Sequence, residues 1–235
     1  FDAAGVLILE GWGMTETSTA ATVARPDAFK FGKVGKAFRG CEIRIADDGE
    51  ILTRGPATFV GYFRNPEATA ETIGPDGWLH TGDIGELDED GYLTITDRKK
   101  DIIITAGGKN VSPSEIENAL KVSPYVREAI VIGDNRRYLV ALIGIELDTA
   151  GSWAQRRRIP FTTYGDLSSK PEVVELIGGV VDEVNTGLAQ VEQIKQFALL
   201  PKELDHEDGE VTATQKVKRR AIEEAFGPMI EALYS

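Results

Sequence analysis

A chain of 235 residues suits one large domain or two small ones, with a core that needs no disulfide. Hydrophobic residues make up 42% and charged residues 27%, the composition of a soluble globular protein. The formal net charge of -12 argues against nucleic acid or an anionic membrane as a partner. The single cysteine, Cys41, excludes an internal disulfide and fits a reducing cytosol. It lies in an alternating run and reads as a buried structural thiol. No run is long enough for a transmembrane segment and no secretory pattern opens the chain, so a cytoplasmic protein is expected. The chain opens on Phe1 and not Met, which suggests a piece of a longer protein.

Residues 6–9 are apolar and read as a buried strand leading into Gly11-Trp-Gly-Met-Thr-Glu16. Residues 41–46 alternate, Asp47-Asp-Gly49 turns, and residues 50–54 alternate again, which predicts a hairpin. A second hairpin joins residues 84–87 to 92–96 through Asp88-Glu-Asp-Gly91. That acidic turn lacks the remaining ligands of a calcium loop. Gly55-Pro56, Asn65-Pro66 and Gly74-Pro75 read as loops. Short strands at this spacing predict a compact barrel-like β unit over residues 1–97.

The chain changes character after a charged linker at residues 98–101. Residues 102–105 predict a buried strand and residues 106–109 a turn. Ser112, Pro113 and Glu115 then mark a helix start, with Ile116, Ala119 and Leu120 at helical spacing. Residues 126–133 and 138–147 read as paired strands. Pro171 opens an amphipathic helix with Val173, Ile177, Val180, Val181, Val184 and Leu188 on one face. A strand over 194–200 and one final helix over 218–233 complete an α+β unit over residues 102–235.

Taken by themselves the polar motifs have plain readings. Gly11 to Glu16 is a tight turn whose glycines admit close backbone approach, with Thr15 offering a hydroxyl and Glu16 a metal-binding carboxylate. Thr81-Gly82-Asp83 reads as a turn with an aspartate cap, Lys100 as a solvated lysine, and Gly107-Gly108-Lys109 as a turn. Lys216, Lys218, Arg219 and Arg220 form a basic run ahead of a helix in an acidic chain. His80 and His206 have no partner pattern for zinc or a triad and read as surface or structural groups.

In order, these motifs resemble the adenylate-forming superfamily of acyl-CoA synthetases, luciferases and peptide-synthetase adenylation domains. The resemblance implies the end of a large N-terminal domain with a barrel-like subdomain over 1–97, a hinge at 98–101 and a mobile α+β lid over 102–235. It implies that Trp12, at a position more often Tyr, lies against adenine. Thr15 would touch the α-phosphate and Glu16 would hold Mg²⁺. Asp83 would accept from both ribose hydroxyls, and Arg98 would make a second ribose or phosphate contact. Lys100 would be the hinge, and Gly108 with Lys109 would border the pantetheine arm of CoA. Lys216 matches the catalytic lysine, with Gln215 where a glycine is common, and Lys218 is the competing assignment two residues on. Against short members of the superfamily, residues 153–165 would be an extra loop, and from there onward the chain resembles bacterial long-chain fatty-acid–CoA ligases.

The implied substrates are a long-chain fatty acid, ATP and CoA, with the missing N-terminal part of the same enzyme as a partner. The phosphate loop ending in Lys is absent, so the chain alone is expected to be largely inactive. Rival readings are an adenylation enzyme feeding a carrier protein, a noncatalytic docking half, and an unrelated soluble α+β protein.

Overall fold

A computed structural model describes residues 1–213 and 216–235, and the chain divides into two compact units, Phe1–Asp101 and Ile102–Ser235. In the first unit, β1 (Gly11–Trp12), β2 (Thr22–Val23) and β3 (Lys36–Ala37) form a small antiparallel sheet. A second, curled sheet is an antiparallel meander of β4 (Glu42–Ile45), β5 (Glu50–Arg54), β6 (Leu79–Leu87) and β7 (Leu93–Arg98). Helix α1 (Pro66–Thr72) lies between β5 and β6 in sequence. The alternation of apolar residues sets the pleat. Ile51, Leu79 and Leu93 are fully buried, and along β6 the residues at 79, 81, 83 and 85 all turn inward. Gly49 and Gly91 close the two acidic hairpin turns with positive φ.

In the second unit β8 (Ile103–Ile104) pairs with β9 (Asn110–Val111) ahead of α2 (Pro113–Lys121). Strands β10 (Val126–Ile132), β11 (Leu139–Ile145) and β12 (Ile194–Leu199) form one sheet with β11 in the centre. β11 runs antiparallel to β10 and parallel to β12. Its seven residues are all buried, as a central strand covered on both faces requires. Leu139, Ala141, Ile143 and Ile145 face a core built with α2, α3 (Leu147–Arg156), α4 (Tyr164–Ser168) and α5 (Pro171–Thr186). Val140 and Leu142 face the opposite way, onto Ile222 of α6 (Arg219–Ala225) and Ile230 of α7 (Gly227–Ala232). The parallel β11–β12 pair needs a crossover, and α3 to α5 supply it. No helix among the described residues is long and apolar enough to cross a membrane.

Several local expectations are corrected. Residues 6–9 form no strand, and Val6, Leu7 and Ile8 are half exposed, because nothing in their unit offers them a ladder. Thr81-Gly82-Asp83 lies inside β6 and not in a turn. Asn65-Pro66 starts α1: Asn65 Oδ1 accepts from Ala68 N and Pro66 takes the first turn. Only Ile103 and Ile104 of residues 102–105 are strand, with Ile104 half exposed. The supposed loop at 153–165 is largely helical at both ends, and Trp153 is buried on α3 beneath the Arg157 guanidinium, 4.2 Å from its ring. The final helix is two helices broken at Phe226, because Pro228 cannot continue the first. Cys41 is half-buried.

Candidate functional site: a buried carboxylate

The site in the first unit begins with the chain crossing at Gly13. A Cβ there would sit 1.8 Å from the Thr19 carbonyl oxygen, so only glycine permits the crossing. The turn that follows carries Thr15 and Glu16 on a single 3₁₀ turn, Thr15–Thr17. The Thr17 hydroxyl bonds both Met14 N and Met14 O at 3.0 Å, which locks the turn. Ser18 and Thr19 lie at φ 51° and 89°. A β-branched residue in that region is strained, and such strain concentrates at ligand clamps. Thr15 is exposed, and Phe59 N donates to the Glu16 carbonyl at 2.8 Å. Tyr62 OH donates to Glu16 Oε1 at 2.7 Å, and that contact raises the Tyr62 phenol above its usual value.

Asp83 is 6% exposed on β6, yet both carboxylate oxygens have partners from elsewhere in the chain. Trp12 Nε1 donates to Oδ2 at 2.9 Å, and Arg98 Nε forms an ion pair with Oδ1 at 2.6 Å. Its own amide donates to Thr81 Oγ1 at 3.1 Å, and that hydroxyl donates to Ile51 O at 2.7 Å. A carboxylate has about four acceptor sites, so two remain for ligand hydroxyls. The structure therefore joins Trp12, Asp83 and Arg98 into one cluster. The Trp12–Asp83 bond was not foreseen, although an indole N–H in a packed site calls for an acceptor.

A second unforeseen group is Glu50, bonded next to Asp83 at Gly82 and 4% exposed. Its Oε1 accepts from Gly82 N at 2.9 Å, and its Oε2 accepts from Lys99 Nζ and lies 3.0 Å from His80 Nδ1. Burial pushes the Glu50 carboxyl up, but its contacts with His80, Lys99 and the Gly82 amide outweigh this and hold it below the usual glutamate range. A depressed carboxylate contributes stability above its unfolded value and loses it as pH falls through the folded value. Glu50→Gln is therefore expected to flatten the fall in melting temperature below pH 4.5, as read from pH-dependent thermal unfolding.

The other sequence-picked residues are placed as follows. Lys100 is exposed on the 3₁₀ turn Lys99–Asp101 and makes no ion pair among the described residues. Gly108 has φ 73°, which by itself favours glycine, and a Cβ there would meet nothing within 4 Å. Its turn is closed by Gly108 N donating to Thr105 O at 2.8 Å, and Lys109 beside it is exposed. Lys216 follows the undescribed pair Thr214 and Gln215, so the glycine replacement at 215 lies outside the described residues. Thr212 N donates to Lys216 O at 2.8 Å, and Val211 bridges Val217 next to it. Lys216 and Lys218 are both exposed. Arg219 instead turns inward to Val131 O and Glu117, at 2.6 and 2.7 Å, and ties the run to β10.

Could the chain hold Mg²⁺? No group of three or more metal-binding side chains exists among the described residues. Glu16 Oε1 is taken by Tyr62, leaving Oε2 for a cation. One carboxylate suits Mg²⁺, which keeps waters and binds through one or two carboxylates plus substrate phosphates.

Comparison with known proteins gives the family. The chain is 43% identical to the long-chain-fatty-acid–CoA ligase FadD15 of Mycobacterium tuberculosis, over 99% of this chain and 39% of that protein. It is 36% identical to human long-chain-fatty-acid–CoA ligase 6, over 99% of this chain and 35% of that protein. The chain thus spans about two fifths or less of the length of these relatives. Among solved structures, the O-succinylbenzoate coenzyme A synthetase of Bacillus subtilis, in complex with ATP and magnesium ion, superposes with a TM-score of 0.68. That match has 28% identity and covers 93% of this chain and 42% of the other. Residues 1–63 match the AMP-binding enzyme family and residues 100–235 match the AMP-binding enzyme C-terminal domain. The chain belongs to the AMP-binding, adenylate-forming enzyme family.

Proposed function

We propose that the chain is the C-terminal part of a long-chain fatty-acid–CoA ligase that forms AMP. The observation that carries this reading is the buried Asp83 carboxylate, fixed by Trp12 and Arg98 with acceptor capacity left for a ribose diol. The names of the relatives support the fatty-acid and CoA parts.

In the first half-reaction a fatty-acid carboxylate oxygen attacks the α-phosphorus of ATP. The bond to the β-phosphate oxygen breaks, and acyl-AMP and pyrophosphate result. Asp83 and Arg98 hold the ribose side of the nucleotide, Trp12 packs against adenine, and Thr15 contacts the α-phosphate. Glu16 would hold Mg²⁺, which neutralises phosphate charge when bound. Lys216 meets the charge that builds on the α-phosphate in the transition state, and so lowers the barrier more than it tightens ground-state binding. In the second half-reaction the unit after the 98–101 hinge turns about Lys100. The CoA thiol, its arm passing Gly108 and Lys109, attacks the acyl carbonyl and expels AMP while a base takes the thiol proton.

The test is product analysis with the intact enzyme, palmitate, MgATP and free CoA. Palmitoyl-CoA, AMP and pyrophosphate in equal amounts are expected. Acyl-AMP that passes only to a carrier protein would overturn the CoA assignment. Tyr62→Phe removes the hydroxyl that orients Glu16, and a lost outer partner of a metal ligand typically lowers metal affinity by about 10-fold or more. A Mg²⁺ titration of pyrophosphate release is expected to shift by about that factor, with the fold unchanged.

A further inference from the structure

The ladder between β6 and β7 ends where Asp83 pairs with Arg98. Lys99 is the first residue past it, and its side chain fixes it to the barrel. Lys99 Nζ lies 2.6 Å from Asp48 Oδ2 and 3.0 Å from Glu50 Oε2, on the turn and first residue of the β4–β5 hairpin. These contacts raise the Lys99 ammonium above its usual value, the Asp48 bond contributing most. Lys100, one residue on, is exposed and has no carboxylate partner among the described residues.

We propose that Asp48 and Glu50 clamp Lys99 to the first unit and that this clamp makes Lys100 the pivot. The inference rests on the reading in which the second unit turns about Lys100. Chain rotation at or before Lys99 would strip the ammonium from Glu50, whose side chain is only 5% exposed. A buried carboxylate left without its cation is strongly unfavourable. Past Lys99 no such cost applies, so backbone change is confined to Lys100 and beyond. Glu50 serves both sides of the boundary. Through Gly82 N it sets the strand that aims Asp83, and through Lys99 it anchors the fixed end of the hinge. Glu50, Asp48 and Lys99 are positioning residues, since none of them is placed against substrate.

Trypsin reads the clamp directly, because it must take a lysine side chain into its own pocket. The two rival bonds are Lys99–Lys100 and Lys100–Asp101. A synthetic peptide of residues 95–106 gives their intrinsic cleavage ratio. In the intact folded protein, cutting after Lys99 relative to Lys100 is expected to fall by about tenfold or more against the peptide, since cleavage follows the open population. The double variant Asp48→Asn, Glu50→Gln keeps side-chain shape and is expected to return the ratio to that of the peptide. General loosening of the fold would speed both bonds together and leave the ratio alone, and thermal unfolding monitors that case. If the variant does not fold, the wild-type ratio against the peptide decides. An equal ratio in folded protein and peptide would overturn the proposal, as would protection that survives in a folded double variant. The readout does not depend on ligase activity, so a failed activity test and a failed clamp are distinguishable.

Discussion

Asp83→Ala in the intact enzyme is expected to lower kcat/KM for ATP by about 10²–10⁴-fold, because two hydrogen bonds to a charged acceptor are lost, each worth about 1.5–3 kcal/mol. The loss should fall on ATP and leave the KM for fatty acid in place, since Asp83 faces the nucleotide in this account. Pyrophosphate release measured against ATP and palmitate in turn makes the distinction. The substitution also leaves the Trp12 N–H without its acceptor in a packed site. An unsatisfied buried donor costs about 1–3 kcal/mol, so the melting temperature falls as well. Asp83→Asn keeps the shape and one carbonyl acceptor, and should fold better than Asp83→Ala while remaining impaired for ATP. A large loss that appears only in the KM for fatty acid would place Asp83 outside the nucleotide site.

Lys216→Ala carries the second large effect. Removing one preorganised donor from a developing oxyanion typically costs about 10²–10³-fold in rate. The loss is expected in fatty-acid-dependent pyrophosphate release, while CoA transfer from preformed acyl-AMP is retained. Lys218→Ala is the internal comparison, because both ammonium groups are exposed and only two residues apart. A defect in Lys218→Ala with normal pyrophosphate release in Lys216→Ala would move the catalytic role to Lys218. Arg219→Ala is different in kind. Its guanidinium bridges Glu117 and the Val131 carbonyl, so its loss should lower stability first.

The fold was legible where a single short-range signal decides. Asp47-Asp-Gly49 and Asp88-Glu-Asp-Gly91 turned as their chemistry requires, and the seven-residue run of β11 became a central strand covered on both faces. Ser112-Pro113 and Pro171 started helices as expected. The misreadings arose where tertiary context overrides local pattern. Residues 6–9 have strand composition but no pairing partner in their unit. Asn65-Pro66 carries both a loop signal and a helix-start signal, and the following run of helix formers settled it. Pro228 sits at the one place in residues 218–233 where the helix had to break, and its meaning was in the sequence to be read.

The candidate site shows the same division. Trp12, Glu16, Asp83 and Arg98 were each picked from motifs, but the sequence could not say which of them touch. The long-range bonds found there, Trp12 to Asp83 and Tyr62 to Glu16, link residues 71 and 46 positions apart. Such pairings depend on strand register, which no local pattern encodes. Glu50 was invisible for a related reason. It looked like the polar start of a hairpin strand, and only the fold shows it buried under Gly82 and Lys99.

The central claim is that this chain completes an enzyme that adenylates a fatty acid before CoA enters. Palmitate-dependent exchange of labelled pyrophosphate into ATP, run with the intact enzyme and no CoA, tests it most directly. The account predicts exchange that requires palmitate and Mg²⁺ and that falls with Lys216→Ala. Absence of exchange without CoA, or exchange that does not depend on palmitate, would contradict it.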